Sequence, residues 1–97
     1  MTSPNQTDEP GGERFASPSA LRQYAIETAA QLRQAGLSEA ADIMEAAANF
    51  AATTGSEWLG ELGIAAKTIQ KRVDLPEAIR SRVSRIGQAA ASRQPYG

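Results

Sequence analysis

Four stretches of the chain repeat apolar residues at the three- and four-residue spacing that lines one side of an α-helix. The first holds Leu21, Tyr24, Ala25, Leu32 and Ala35; the second Ala40, Ile43, Ala47 and Phe50. The third holds Trp58, Leu62, Ala65, Ile69 and Val73, and the fourth Ile79, Val83, Ile86 and Ala90. No stretch alternates with a period of two, so no sheet is expected. Punctuation residues bound the stretches. Ser17-Pro18 offers a cap followed by proline at the first helical position, and Gly36 stands where a C-terminal glycine belongs, which predicts a helix over 18–35. Ser38 opens a second helix that runs to about Thr53 and stops at Gly55. Ser56 caps a third over 57–73. Asp74 and Glu77 have the spacing of a capping box and start a fourth at about Leu75, running to Ala91.

Linkers of a few residues wire such helices as antiparallel neighbours. The expected fold is all-α: a small antiparallel bundle of about four helices over residues 17–92. Residues 1–16, rich in proline, glycine and small polar side chains, read as a flexible tail, and 93–97 as a short C-terminal tail behind Pro95. The alanines Ala46, Ala47, Ala48, Ala51 and Ala52 predict a close helix–helix approach. Only eighteen large apolar residues lie between the tails. A core that thin leaves little surplus over the entropy of ordering the chain, and points to a second copy as a source of further burial.

Composition narrows the chemistry. The 97 residues include no Cys and no His and carry a net charge of −1. Disulfides, Cys/His zinc sites, Cys or His nucleophile systems and a histidine general base are all excluded. The polar N-terminus does not read as a signal peptide, and no apolar run approaches the ~20 residues of a membrane span. A cytoplasmic location is the default expectation.

Paired carboxylates are the first candidates for catalysis. Glu57 and Glu61, and Glu39, Asp42 and Glu45, share helix faces, but each set reads as a solvated acidic face without converging ligands. Gly60-x-x-Gly63 lacks the Lys-Ser/Thr and the preceding strand of a phosphate loop. Neither enzyme activity nor a cofactor nor a metal is expected. The remaining reading is a non-enzymatic interaction or regulatory module that binds a protein partner or its own copy as a homodimer. Its expected docking face lies on the fourth helix: Arg82, Arg85 and Arg93 beside the seam of Ile79, Val83 and Ile86, whose four-then-three spacing is that of a coiled-coil contact. The acidic second helix is the expected partner of these arginines. Trp58 and Phe50 are assigned to the core, and either becomes an interface anchor if it is exposed.

A second reading concerns the third helix. The run Trp58-Leu59-Gly60-Glu61-Leu62-Gly63-Ile64-Ala65-Ala66-Lys67-Thr68-Ile69 resembles the helix-turn-helix family of DNA-binding proteins, with Leu62-Gly63-Ile64 as the turn and Ile69 as the buried aliphatic. That resemblance implies Lys67, Thr68, Gln70, Lys71 and Arg72 on or near a major-groove face. Charge is split in the same sense: residues 57–97 hold seven basic and four acidic groups, and residues 1–56 three and seven. Against it, the third stripe runs in phase straight through Gly63, which predicts one unbroken helix, since a turn would reset the phase. The continuous helix strands one residue, Ile64, on the polar face.

Overall fold

The structure is a computed structural model and describes residues 14–97. It is an all-α bundle of four helices: α1 (Pro18–Gln34), α2 (Ser38–Ala48), α3 (Gly55–Arg72) and α4 (Glu77–Ala91). The described residues form no strand; a single isolated bridge joins Phe15 to Tyr96. Helices adjacent in sequence pack against each other, and α4 closes the circuit on α1. The side chains of Leu21, Leu32, Met44, Leu62, Ile69, Val83 and Ile86 are fully buried between them.

The ends of α1 follow from local chemistry. Ser17 Oγ accepts from the Ala20 amide at 3.1 Å, satisfying one of the donors a helix start leaves free. At the other end Gly36 adopts φ 82°, which a side chain resists. Around it the Leu37 amide donates to the Leu32 carbonyl at 2.9 Å and the Gly36 amide to the Arg33 carbonyl at 3.1 Å. These paired bonds close α1 as a Schellman motif and turn the chain directly into α2.

Three boundaries differ from expectation. The second helix stops at Ala48 rather than near Thr53. Its last carbonyl is taken by the Trp58 indole N–H at 3.1 Å, and the side chain of Asn49 accepts from Arg22 of α1. A satisfied helix end needs no further turn, and residues 49–54 become the connection. The third helix is capped by Thr54, not Ser56: Thr54 Oγ1 accepts from the Glu57 amide at 3.2 Å, and Glu57 Oε1 accepts from the Thr53 amide at 2.9 Å. The fourth helix begins at Glu77 with no side-chain cap, so Asp74 does not play that part. Pro76 pushes the residue before it out of the helical region, and Leu75 instead turns inward and is buried.

Of the alanine run, Ala47 and Ala48 are buried while Ala46 and Ala51 are exposed; a further close approach is found between α3 and α4. A Cβ built on Gly63 would sit 3.4 Å from that of Ala90, and one on Gly87 would sit 3.5 Å from that of Ala66. The two glycines face opposite helices and let the backbones pack side by side. Gly60 has a different environment, with nothing within 4 Å of an added Cβ. In the single chain, measured at high dilution, Gly60→Ala is therefore expected to be stabilising by about 1 kcal/mol, the helix-propensity difference alone, read as a higher urea midpoint at unchanged slope.

The terminal segments also differ from the expected tails. The tail expected over 1–16 falls mainly on residues 1–13, outside the described residues, but Phe15 belongs to the core. Its amide donates to the Pro95 carbonyl at 2.8 Å, and its carbonyl accepts from the Gly97 amide at 3.0 Å. Residues 93–97 thus return to the bundle and clasp the entry to α1. Tyr96 is half-buried in this clasp, and burial raises its phenol above the ordinary 10.0. A raised acid favours the neutral form in the folded chain, so its contribution is complete below pH 10 and is lost as pH climbs through the folded value. Stability is expected to fall as pH climbs through that value, and Tyr96→Phe to remove this component of its pH dependence.

Candidate interaction surface

The expected docking seam on α4 lies inside the molecule. Val83 and Ile86 have no exposed surface and Ile79 retains 7%. They face inward because α4 is covered by both α1 and α3, so one apolar stripe is consumed by two neighbours. The seam, expected to dock a partner, is core and cannot receive one while the chain is folded.

Arg82 and Arg85 are also engaged within the chain. Arg82 Nε donates to Thr28 Oγ1 at 2.9 Å and Nη2 to the Tyr24 carbonyl at 3.2 Å. Its guanidinium lies 3.9 Å from the Tyr24 ring centroid, and Glu27 stands 3.5 Å away. Thr28 is fully buried and donates in turn to the Tyr24 carbonyl at 2.8 Å, so both its hydroxyl functions are used. Arg85 stacks over Phe15 at 4.4 Å and Tyr24 at 4.9 Å. The two arginines fasten α4 to α1 and to the segment before it. Arg93 alone of the three is exposed, in the segment after α4.

The acidic residues of α2 do not pair with α4. Arg33 of α1 spans Asp42 at 3.1 Å and Glu45 at 2.9 Å, and Arg72 of α3 approaches Glu39 at 3.9 Å. Among the described residues no carboxylate of α2 lies within ion-pair distance of an α4 arginine, and α2 packs beside α1 and α3. Among the described residues no group of three or more acidic side chains is placed to hold a metal ion.

The third helix passes unbroken through Gly63. Leu62-Gly63-Ile64 is therefore not a turn, and the two-helix geometry implied by the helix-turn-helix resemblance is absent. Lys67, Thr68, Gln70, Lys71 and Arg72 occupy the last turns of one 18-residue helix, with Thr68 half-buried. Gly63 is explained by its contact with Ala90 rather than by a change of direction.

What remains at the surface is an apolar face that the α4 reading missed. Ile64 is 62% exposed and Phe50 44%. Both line a groove of about 260 Å³ between α2 and α3 that continues to Ile43 and Ala46. On the other flank of Ile64, a groove of about 440 Å³ runs between α3 and α4, past Leu59, Gly60, Gly63 and Ala91, with Lys67 at its rim. Ile64 thus forms the crest between two apolar furrows. Its exposure was legible in the sequence, as the residue out of phase with its helix. That of Phe50 was not, because it depends on α2 ending two residues earlier. No helix among the described residues is long and apolar enough to cross a membrane. Comparison with protein-family models, with curated proteins and with solved structures finds no match to this chain.

Proposed function

We propose that the chain is a non-enzymatic protein–protein interaction module of the cytoplasm, working through the face formed by Phe50, Ile64 and the furrows beside it. The observation that carries this reading is the adjacency of two exposed large apolar side chains on one face. A lone exposed isoleucine is ordinary for a soluble protein, whereas an aromatic and a branched aliphatic over a shared groove have the composition of a binding anchor. The carboxylates Asp42, Glu45 and Glu57 support the same reading, since Asp42 and Glu45 hold Arg33 and Glu57 accepts from the Thr53 amide. Phe50→Asp and Ile64→Asp place charge at exposed positions and leave the core intact. In affinity capture from the source cells, the wild-type chain is expected to retain a binding protein or a second copy that both variants lose, at equal helicity by circular dichroism. Retention by the variants at wild-type levels would remove the proposal.

A further inference from the structure

We infer that the occupant of this face is a second copy of the chain, packed α3 against α3 in antiparallel register about a two-fold axis at position 62. The inference rests on the interaction reading and names its partner.

The solvent side of α3 carries Glu57, Gly60, Ile64, Lys67 and Lys71, all exposed. Their spacing alternates three and four residues, the repeat that keeps one helix face against another in a coiled-coil contact. This stripe is opposite the buried one of Leu62, Ala65, Ala66 and Ile69, so it is the side that neither α2 nor α4 covers. It holds a projection and a vacancy one helical turn apart. Ile64 stands out at 62% exposure, while Gly60 presents bare backbone with open space beyond it.

A surface that meets its own copy about a two-fold must be complementary to itself, so residue i faces residue j and j faces i. Antiparallel pairing about position 62 sets each Ile64 over the Gly60 of the other copy. The same operation sets each Glu57 opposite a Lys67, giving two opposite-charge pairs with no adjustable choice left. Steric and electrostatic matches arising from one symmetry element identify the partner as another copy rather than an unrelated helix. Glu57 Oε1 already accepts from the Thr53 amide at 2.9 Å, which leaves its second oxygen for the lysine. The two-fold also brings the Phe50 flank of one copy alongside that of the other, because the axis lies across both helices. A net charge of −1 on each chain opposes such pairing little.

The absence of cysteine makes the register directly testable. One chain carries Glu57→Cys and another Lys67→Cys, and a short bifunctional thiol reagent is added to each alone and to the mixture. Positions 57 and 67 are ten residues apart, about 15 Å along the helix, so like positions in an antiparallel pair are also separated by about 15 Å. Crosslinked dimer is expected in the mixture and not from either chain alone; in the mixed dimer the second Glu57–Lys67 pair stays intact. In sedimentation equilibrium the wild-type chain is expected to be a dimer, and Ile64→Lys to raise its dissociation constant about 100-fold or more, tenfold or more from each of two symmetric anchors. Folding of Ile64→Lys is checked by its helicity and by a urea transition that stays cooperative, with a midpoint lowered only by the dimer stabilisation it has lost. A wild-type chain that stays monomeric at millimolar concentration, an Ile64→Lys dimer as tight as wild type, or equal crosslinking of each chain alone would overturn the inference. A monomer that still captures a binding protein through Phe50 and Ile64 would overturn it while leaving the interaction reading in place; loss of capture as well would remove both.

Discussion

Val83→Asp is expected to unfold the chain at room temperature. Val83 has no exposed surface and sits where α4 is covered by both α1 and α3. Losing its burial forfeits about 1.5 kcal/mol or more. Placing a carboxylate there without a partner costs several kcal/mol more, or forces it to take up a proton. The sum, about 4 kcal/mol or more, is comparable with the roughly 5–15 kcal/mol that stabilises a typical domain. Far-ultraviolet circular dichroism against urea reads the outcome. The same substitution distinguishes two roles for the α4 stripe. Were Ile79, Val83 and Ile86 a docking seam on a separately folded domain, Val83→Asp would spare the helices and abolish association only. A cooperative, fully helical Val83→Asp chain would contradict the packing described above.

Arg82→Ala is expected to cost about 2–4 kcal/mol, although it removes an ionic side chain from the edge of the bundle. Surface ion pairs contribute about 0–1 kcal/mol, and Glu27, itself 54% exposed, accounts for no more than that. The larger part comes from the two hydrogen bonds to Thr28 Oγ1 and the Tyr24 carbonyl, about 0.5–1.5 kcal/mol each net of exchange with water. Stacking on Tyr24 at 3.9 Å adds about 0.5–2 kcal/mol. Arg82→Lys keeps the charge but loses the planar fork and the stacking, so it is expected to recover less than half of the loss. Full recovery by lysine would mean that charge alone, and not the geometry of the guanidinium, ties α4 to α1. Equal stability of Arg82→Ala and wild type by urea denaturation would remove the tie altogether.

Both expectations reverse the part that sequence pattern assigns to α4. An arginine beside an apolar seam has the same spacing whether it rims an interface or reaches across to a neighbouring helix. Only the partner helix distinguishes the two. Here the acceptors are a buried threonine and a carbonyl 54 and 58 residues away in the chain. The reach was invisible because Thr28 reads as one polar residue among several on α1. The Phe15–Tyr96 clasp was hidden in the same way, since each residue lies in a proline- and glycine-containing segment whose local composition favours a tail.

Local chemistry was read more faithfully. Ser17-Pro18 starts α1 and Gly36 ends it, because capping and positive φ depend on a few adjacent residues. The phase of Trp58, Leu62, Ala65 and Ile69 predicts a helix through Gly63, and α3 is continuous there. The same phase placed Ile64 outside. Where a cap competed with another candidate the spacing misled: Thr54 rather than Ser56 precedes a glutamate by three residues, and that reciprocal geometry is the stronger signal.

By itself, then, the order of residues determined four helices, most of the inward stripe of each and the absence of cysteine and histidine chemistry, while Ala35 and Phe50 of the expected stripes are exposed. Helical periodicity and capping act over a few residues, and composition acts over none. The tertiary structure alone decided which apolar stripe is covered twice, which glycines bring α3 against α4, and which arginines are held. These follow from the approach of segments far apart in the chain, where a neighbour can bury a stripe or leave it open. The exposed face of α3 is open because the circuit α1–α2–α3–α4 closes on its other side.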